Sequence, residues 1–220
     1  MTKKINALRF VILVVLGFAV VGVICWNPVL RTKTQVMVTG EANFNATAIE
    51  QSTVLVRIGD IGEGSGVAIS PHMILTAKHC VGEYTIVVLP DGNELEVTEV
   101  FVFEDRDVAV LFVEETLEHF VKAGAAPESM TPTWVYARLM VEPGGNRLFG
   151  WTSGIVSVTT DRDIILDQAI YLGMSGGGAY NANGELIGLV VALWRGSGHM
   201  ALVEPIEPVM NKLAELGLGK

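Results

Sequence analysis

From Thr53 onward, short hydrophobic runs alternate with groups of turn-forming residues. The runs have the length and the Val, Ile, Leu and Thr content of β-strands, and Pro90-Asp91-Gly92-Asn93 between two of them is typical of a hairpin turn. The first set of predicted strands is Thr53–Ile58, Gly66–Ser70, Met73–Thr76, Thr85–Leu89, Leu95–Phe103 and Val108–Val113. The second set is Thr133–Leu139, Gly154–Thr160, Ile164–Leu166, Gly178–Tyr180, Leu186–Leu193 and Met200–Val203.

A less regular stretch, residues 116–132, separates the two sets and predicts a crossing connection. Two sets of strands with little helical pattern favour an all-β chain built as two six-stranded antiparallel barrels. We expect the first barrel over about residues 51–125 and the second over about 133–206. Apolar residues at helical spacing from Pro208 to Leu218 predict a short C-terminal helix packed on the second barrel.

The N-terminus has a different pattern. Residues 10–26 carry no charge and are mostly apolar, and they follow Lys3, Lys4 and Arg9. Residues 1–26 therefore predict a transmembrane helix that acts as a signal anchor, with the domain beyond it facing the extracytoplasmic side. No small-residue cleavage site follows the apolar run, although secretion after signal cleavage remains the alternative. The polar residues 27–50 predict a linker, so the folded domain is expected over 51–220.

Charge and composition argue against nucleic acid, metal ions and cofactors as partners. The chain has 15 basic and 24 acidic residues and a net charge of −9, and three of the basic residues precede the apolar run. This acidic balance disfavours nucleic acid as a partner. Histidine, cysteine and carboxylate residues do not cluster at the spacing of metal ligands, so we predict neither a metal nor a cofactor. The sequence predicts no particular oligomeric state.

Three separated segments carry residues suited to nucleophilic catalysis. They are Thr76–Cys80, Asp105–Leu111 and Gly173–Gly178, which supply a histidine, an aspartate and a serine in that order. A serine hydroxyl is a weak nucleophile near neutral pH unless an imidazole accepts its proton and a carboxylate orients that imidazole. The glycines beside Ser175 would allow backbone N–H groups to approach a developing oxyanion. A phosphate-binding loop would need a following helix and usually a lysine, and neither is indicated here.

The candidate base is His79 and the candidate nucleophile is Ser175. Two aspartates compete for the orienting role. Asp107 is preferred because it directly precedes the apolar run predicted to lie beside the histidine, whereas Asp105 lies two residues earlier and suits a solvated turn.

These segments, together with Asp167–Gly177 and Gly184–Leu189, resemble the trypsin-like serine peptidases, and within them the bacterial Do/HtrA-type branch. The resemblance runs from about Thr53 to Val203. It implies a trypsin-like pair of barrels, a triad of His79, Asp107 and Ser175, and an oxyanion hole formed by the N–H groups of Gly173 and Ser175. The function it implies is a serine endopeptidase that acts on protein or peptide substrates through an acyl-enzyme, and the predicted N-terminal anchor would tether it to the membrane.

The chain departs from that family at several positions. Met174 and Gly178 stand where relatives usually carry asparagine or aspartate, and proline. Many secreted relatives pair the cysteine after the histidine with one about sixteen residues earlier, but that position is Gly64 here, so we expect Cys80 to be a small buried hydrophobic residue. The chain ends soon after the second barrel, and we therefore expect no appended PDZ domain.

The resemblance also identifies a substrate pocket. The position six before the serine, which lies at the pocket's base in the family, is Ala169, with Ile170 beside it. A strand carrying Val191, Ala192 and Leu193 would form one wall. No acidic residue is present to bind lysine or arginine, so we predict cleavage after small or medium apolar residues.

Other functions remain open at this stage. A catalytically idle relative could serve as a binding module, although the intact triad disfavours it. A zymogen-like peptidase would need a partner to order its oxyanion loop. An esterase usually has an α/β fold, and the chain shows no alternation of strands and helices.

Overall fold

The computed structural model describes residues 43–60, 62–140, 147–194 and 200–218. The predicted signal anchor, residues 1–26, and most of the predicted linker lie outside this part of the chain. Within the described residues, no helix combines the length and hydropathy needed to cross a membrane. The final part of the predicted linker contains a short helix, α1 (Ala46–Ser52), whose first turn is capped by the Asn45 side chain accepting from the Thr47 N–H at 3.1 Å.

The first half of the domain is one antiparallel sheet of seven strands. Their order across the sheet is β5-β4-β1-β2-β3-β7-β6, so most neighbours in space are also neighbours in sequence. The strands are β1 (Thr53–Ile58), β2 (Gly62–Ser70), β3 (Met73–Thr76), β4 (Thr85–Val88), β5 (Glu94–Glu96), β6 (Glu99–Val102) and β7 (Ala109–Phe112).

The prediction of a closed six-stranded first barrel was therefore wrong. The run Leu95–Phe103, predicted as one strand, divides at Val97 and Thr98 into β5 and β6. The two pieces pair with β4 and β7 respectively, at opposite edges of the sheet. Thr98 makes the change of direction, and its N–H and hydroxyl both donate to the carbonyl of Phe112. Hydrophobic periodicity could not reveal this break because Val97 and Thr98 both favour strands.

The second half confirms the prediction of a closed six-stranded barrel. The strand order around it is β10-β13-β12-β11-β8-β9. Strand β9 begins at Arg147, earlier than the predicted Gly154, and pairs with β8 along the whole length of β8. The strands are β8 (Pro132–Met140), β9 (Arg147–Thr159), β10 (Ile164–Asp167), β11 (Gly178–Tyr180), β12 (Leu186–Leu193) and β13 (Ala201–Pro205).

The predicted C-terminal helix is present as α2 (Ile206–Glu215). It buries Ile206, Val209 and Leu213 in a hydrophobic cluster that also contains Leu75 of the first sheet and Tyr180 of the second barrel. Burial of such side chains contributes roughly 1.5–3 kcal/mol each. The two halves therefore share a continuous core.

Candidate active site

His79 lies in a tight turn directly after β3. Thr76 ends the strand, and the 3-10 turn Lys78–Cys80 follows the buried Ala77. Cys80 is also buried, as predicted, and its thiol is free. Because residues on both sides of His79 are anchored in the core, the imidazole projects from a fixed backbone with about half of its surface exposed.

Asp107 faces His79 from the loop between β6 and β7. Its Oδ2 lies 2.7 Å from Nδ1 of His79, and its Oδ1 accepts the backbone N–H of His79 at 3.1 Å. The carbonyl of Asp107 also accepts the N–H of Lys78 at 3.2 Å. Asp105 is exposed and makes no comparable contact among the described residues. Of the two aspartates, it is therefore Asp107 that contacts the imidazole.

This pairing shifts the pKa of both groups. The hydrogen bond that the ring makes to Asp107, followed by one to Cys80, raises the pKa of His79 well above its ordinary value of 6.5, while burial opposes the change. Burial is the largest single influence on Asp107 and would raise its pKa. The ring and backbone hydrogen bonds from His79 and the charges of His79 and Lys78 together outweigh it, so the pKa of Asp107 falls below its ordinary 3.8.

The loop that carries Asp107 is held from behind by the second barrel. Glu204 of β13 accepts from the guanidinium of Arg106 at 3.1 Å and from the N–H of Asp107 at 3.4 Å. Arg106 also donates to the carbonyl of Asp161 at 3.3 Å. Both side chains of the ion pair are largely buried. Sequence reasoning missed Glu204 because it is a single charged residue in an otherwise apolar strand.

Ser175 lies in the connection between β10 and β11, several of whose amides have no acceptor among the described residues. Among the described residues, the N–H groups of Gly173 and Ser175 have no acceptor. These are the two amides predicted to bind an oxyanion. The neighbouring amides of Met174, Gly176 and Gly177 donate to main-chain carbonyls, namely Met174 to Tyr171 at 3.1 Å, Gly176 to Val190 at 2.7 Å and Gly177 to Met174 at 2.9 Å.

Glycine is required at the position after the serine. Gly176 has φ +82°, and a Cβ placed there would lie 2.0 Å from the carbonyl oxygen of Ser65 and 2.5 Å from Oγ1 of Thr76. Both the left-handed backbone and the close approach exclude a larger residue. The glycine-rich pattern thus serves a tight contact between the serine segment and strand β2.

The serine segment and the histidine turn are neighbours across the cleft. The carbonyl of Ser175 accepts the N–H of Ser65 at 2.7 Å and lies 3.8 Å from Sγ of Cys80, the residue next to His79. Among the described residues, the hydroxyl of Ser175 and the imidazole of His79 do not form a hydrogen bond. Gly64 makes this packing possible, because a Cβ there would lie 2.5 Å from the Cys80 sulfur.

The five residues predicted for the substrate pocket have different environments. Ala169 is exposed and Ile170 is half-buried against the second barrel's core. Val191 is buried against Ala77 and Cys80, whereas the other two predicted wall residues, Ala192 and Leu193, are exposed. Two further exposed apolar residues, Leu172 and Trp194, lie close to these residues in sequence.

The departures from the family pattern have structural partners. Met174 is fully buried in the core of the second barrel, and its sulfur lies 3.1 Å from the backbone nitrogen of Tyr171. Gly178 packs against the ring of Tyr180, where an added Cβ would lie 2.2 Å from the phenol oxygen. An apolar core residue and a large neighbouring ring therefore accompany these two changes.

Comparison with known proteins identifies relatives of one kind. Residues 64–189 match the trypsin-like peptidase domain. The chain is 32% identical over 150 residues to a protein of Brucella suis named probable periplasmic serine endoprotease DegP-like, with 63% of this chain and 29% of that protein covered. It is 34% identical over 181 residues to a protein of the same name from Bartonella henselae, covering 74% and 35%. The chain thus spans about a third of the length of these relatives.

Solved structures show the same fold. The inactive form of Rv3671c from Mycobacterium tuberculosis superposes with a TM-score of 0.68 at 22% identity, covering 83% of this chain and 93% of that one. A serine endoprotease from Yersinia pestis gives a TM-score of 0.67 at 24% identity, covering 78% and 64%. At these identities the similarity establishes the shared architecture.

Proposed function

Because the chain belongs to the family of trypsin-like peptidase domains, we propose that it is a serine endopeptidase of the HtrA/DegP type. The observation that carries the proposal is the 2.7 Å contact between His79 and Asp107, formed on a turn that packs against the segment bearing Ser175. The relatives named as periplasmic serine endoproteases support the same activity.

In the proposed mechanism, the hydroxyl oxygen of Ser175 attacks the carbonyl carbon of the scissile peptide bond. Nε2 of His79 accepts the hydroxyl proton, and Asp107 keeps the Nδ1 proton in place and stabilises the imidazolium. The N–H groups of Gly173 and Ser175 bind the oxyanion. His79 then donates its proton to the leaving amine, which departs and leaves an acyl-enzyme. Water hydrolyses this ester by the same steps and restores the hydroxyl.

The two free amides favour this activity over the idle binding module. Gly173 and Ser175 are partly exposed, and their N–H groups have no protein acceptor among the described residues, so both donors are available to a bound substrate. One is the N–H of the candidate nucleophile itself and the other lies two residues before it, which suits an oxyanion formed at the attacked carbonyl. Removing one donor of this kind typically costs about 100- to 1000-fold in turnover.

The substrate is proposed to be an unfolded or extended polypeptide cleaved after a small or medium apolar residue. Ala169 and Ile170 at the proposed pocket base supply no charge, and neither do Val191, Ala192 and Leu193 at its wall. The exposed apolar surface around them favours apolar side chains of the substrate over charged ones.

We also propose an extracytoplasmic location, with residues 1–26 as a membrane anchor. The apolar run and its preceding basic residues support the anchor, and the periplasmic names of the relatives support the location. Secretion after signal cleavage is the alternative. Mass spectrometry of the mature N-terminus distinguishes them, since an anchored protein retains residues 1–26.

The activity is tested with a fluorophosphonate probe and an unfolded protein substrate. We expect the probe to label the wild-type chain, and fragments of the substrate to accumulate. Ser175→Ala should abolish both, whereas Ser153→Ala, which changes an exposed serine of β9, should alter neither. Folded wild-type protein that is neither labelled nor active would contradict the proposal and favour the binding module. Labelling only after a partner or peptide is added would favour the zymogen-like alternative.

A further inference from the structure

Ser65 is a fully buried polar residue on the first sheet, and it contacts the serine segment at two points. Its N–H donates to the carbonyl of Ser175 at 2.7 Å. Its hydroxyl donates to the carbonyl of Gly173 at 3.0 Å. These two carbonyls lie on either side of the candidate nucleophile's own N–H, so a single residue of β2 binds both ends of the oxyanion segment.

A third contact of Ser65 fixes the orientation of the hydroxyl that donates to the carbonyl of Gly173. The backbone N–H of Arg138, on strand β8, donates to the Ser65 hydroxyl oxygen at 2.8 Å. An amide can only donate, so the oxygen of Ser65 accepts this bond and its hydroxyl hydrogen is available for the carbonyl of Gly173. The hydroxyl therefore links the first sheet, the second barrel and the serine segment with a defined orientation.

Peptide planarity transmits this orientation to the free amides. In a trans peptide the N–H and the C=O point in opposite directions, so holding one fixes the other. The carbonyls of Gly173 and Ser175 are held by Ser65, and the carbonyl of Met174 between them is held by the N–H of Gly177. The peptide that bears the Ser175 N–H is thus fixed with this N–H turned away from its protein contacts. Holding the peptide plane between Gly173 and Met174 also restricts backbone rotation at Gly173, and with it the direction of the Gly173 N–H.

A buried serine in a strand is often only a satisfied core residue, and three features of Ser65 point beyond that. Its side chain bonds to a loop 108 positions away in sequence instead of its own strand or turn. Its main chain bonds to the same loop. The loop it holds is the one that carries the candidate nucleophile and the unpaired N–H groups of Gly173 and Ser175. A purely structural serine would require none of these features.

We propose that Ser65 is a positioning residue for the oxyanion hole. Its hydroxyl keeps the Gly173 carbonyl turned toward the first sheet, so that the free amides hold a geometry able to bind an oxyanion before substrate arrives. This inference rests on the proposed peptidase function. It also bears on the zymogen-like alternative, because an internal residue supplies the anchor that a partner would otherwise have to supply.

The experiment uses the full chain and three variants. Ser65→Ala removes the hydroxyl, Ser65→Thr retains it, and Ser70→Ala is the matched control on the same strand. Ser70 accepts only the N–H of His72 at 3.4 Å, away from the cleft. We measure kcat and KM on a peptide substrate, the affinity of a peptide boronate that mimics the tetrahedral intermediate, and amide hydrogen exchange of peptides covering residues 169–177.

For Ser65→Ala we expect kcat to fall about 10- to 100-fold, because small misplacements of catalytic groups cost this much. KM should stay within about twofold, since the anchor acts on groups that bind the transition state. The boronate should bind correspondingly more weakly, and exchange should accelerate in residues 169–177 only. Ser65→Thr should restore at least part of kcat, and Ser70→Ala should match the wild type.

Wild-type kcat and wild-type exchange in Ser65→Ala would overturn the inference. So would faster exchange throughout the domain together with a lower Tm, because that result indicates a structural role alone. If Ser65→Ala does not fold, Ser65→Cys preserves the size while weakening the hydrogen bond, and a fully active Ser65→Cys overturns the inference. A wild-type chain without activity refutes the proposed function, whereas hydrogen exchange still decides whether Ser65 holds the segment.

Discussion

The hydrogen bond between Asp107 and His79 makes a prediction about pH that can be worked from the geometry. In Asp107→Asn the amide oxygen can still accept the backbone N–H of His79, which Oδ1 of Asp107 accepts at 3.1 Å. The amide nitrogen then faces Nδ1 of the ring, 2.7 Å away in the wild type. A donor in this place favours the tautomer with its proton on Nε2, and that tautomer cannot accept the proton of Ser175.

The magnitude follows from this change of tautomer. We expect kcat to fall by about 10⁴-fold, the typical effect of the same substitution in a serine-histidine-aspartate triad. The fold should be retained, because asparagine has nearly the shape of aspartate and the backbone contact persists. Circular dichroism and thermal unfolding should therefore resemble the wild type.

The pH profile supplies an independent readout. Asp107 raises the pKa of His79 in the folded protein, so the ring becomes a neutral base only as the pH rises through this elevated value. Wild-type kcat/KM should therefore increase on the alkaline side of 6.5. In Asp107→Asn the carboxylate is lost, and the inflection of the residual activity should move toward lower pH.

The assay is the hydrolysis of a chromogenic peptide from pH 5 to pH 10 at constant ionic strength. Asp105→Asn is the matched control. It removes the same charge from an exposed residue that lies two positions before Asp107. The reasoning is refuted if Asp107→Asn keeps the wild-type inflection and most of its rate, or if Asp105→Asn lowers kcat to the same extent.

Three further predictions concern other parts of the site. Glu204→Gln removes the negative charge that balances the largely buried Arg106 guanidinium and should lower the free energy of unfolding in urea by about 2 to 3 kcal/mol, with a fall in kcat because the Asp107 loop loosens. Gly178→Ala should cost about 1 to 3 kcal/mol and lower Tm, since its Cβ collides with the ring of Tyr180; an unchanged Tm would contradict this. A peptide panel should be cleaved faster after valine or alanine than after arginine, and Ala169→Asp should reduce that preference.

The candidate catalytic residues were easier to predict from the sequence than the residues that hold them in place. His79, Asp107 and Ser175 stand in short motifs from which local sequence predicts their roles, and the first two are joined by a hydrogen bond. Ser65 and Glu204 have no such motif. Their roles arise from contacts to residues about a hundred positions away, which no local pattern records.

In the fold, too, features set by local sequence were predictable, whereas features set by pairing between distant strands were not. Strand composition and turn residues were enough to locate nearly every strand, and the second barrel closes as expected. The break at Val97 and Thr98 was not predictable, because it depends on pairing with two different edges of the first sheet. The start of the folded part was also placed too late, since the polar composition before residue 51 concealed the short helix α1.

The close contact between Gly64 and Cys80 couples the substitutions that these two positions can accept, although they are distant in sequence. A Cβ at Gly64 would lie 2.5 Å from the sulfur of Cys80 and 3.0 Å from the carbonyl of Ser175. Substitution at either position is consequently constrained by the other, because a larger residue at Gly64 requires the Cys80 sulfur and the Ser175 carbonyl to move. The order in which such substitutions accumulate is therefore limited by sterics at the centre of the molecule, independently of any selection on catalysis.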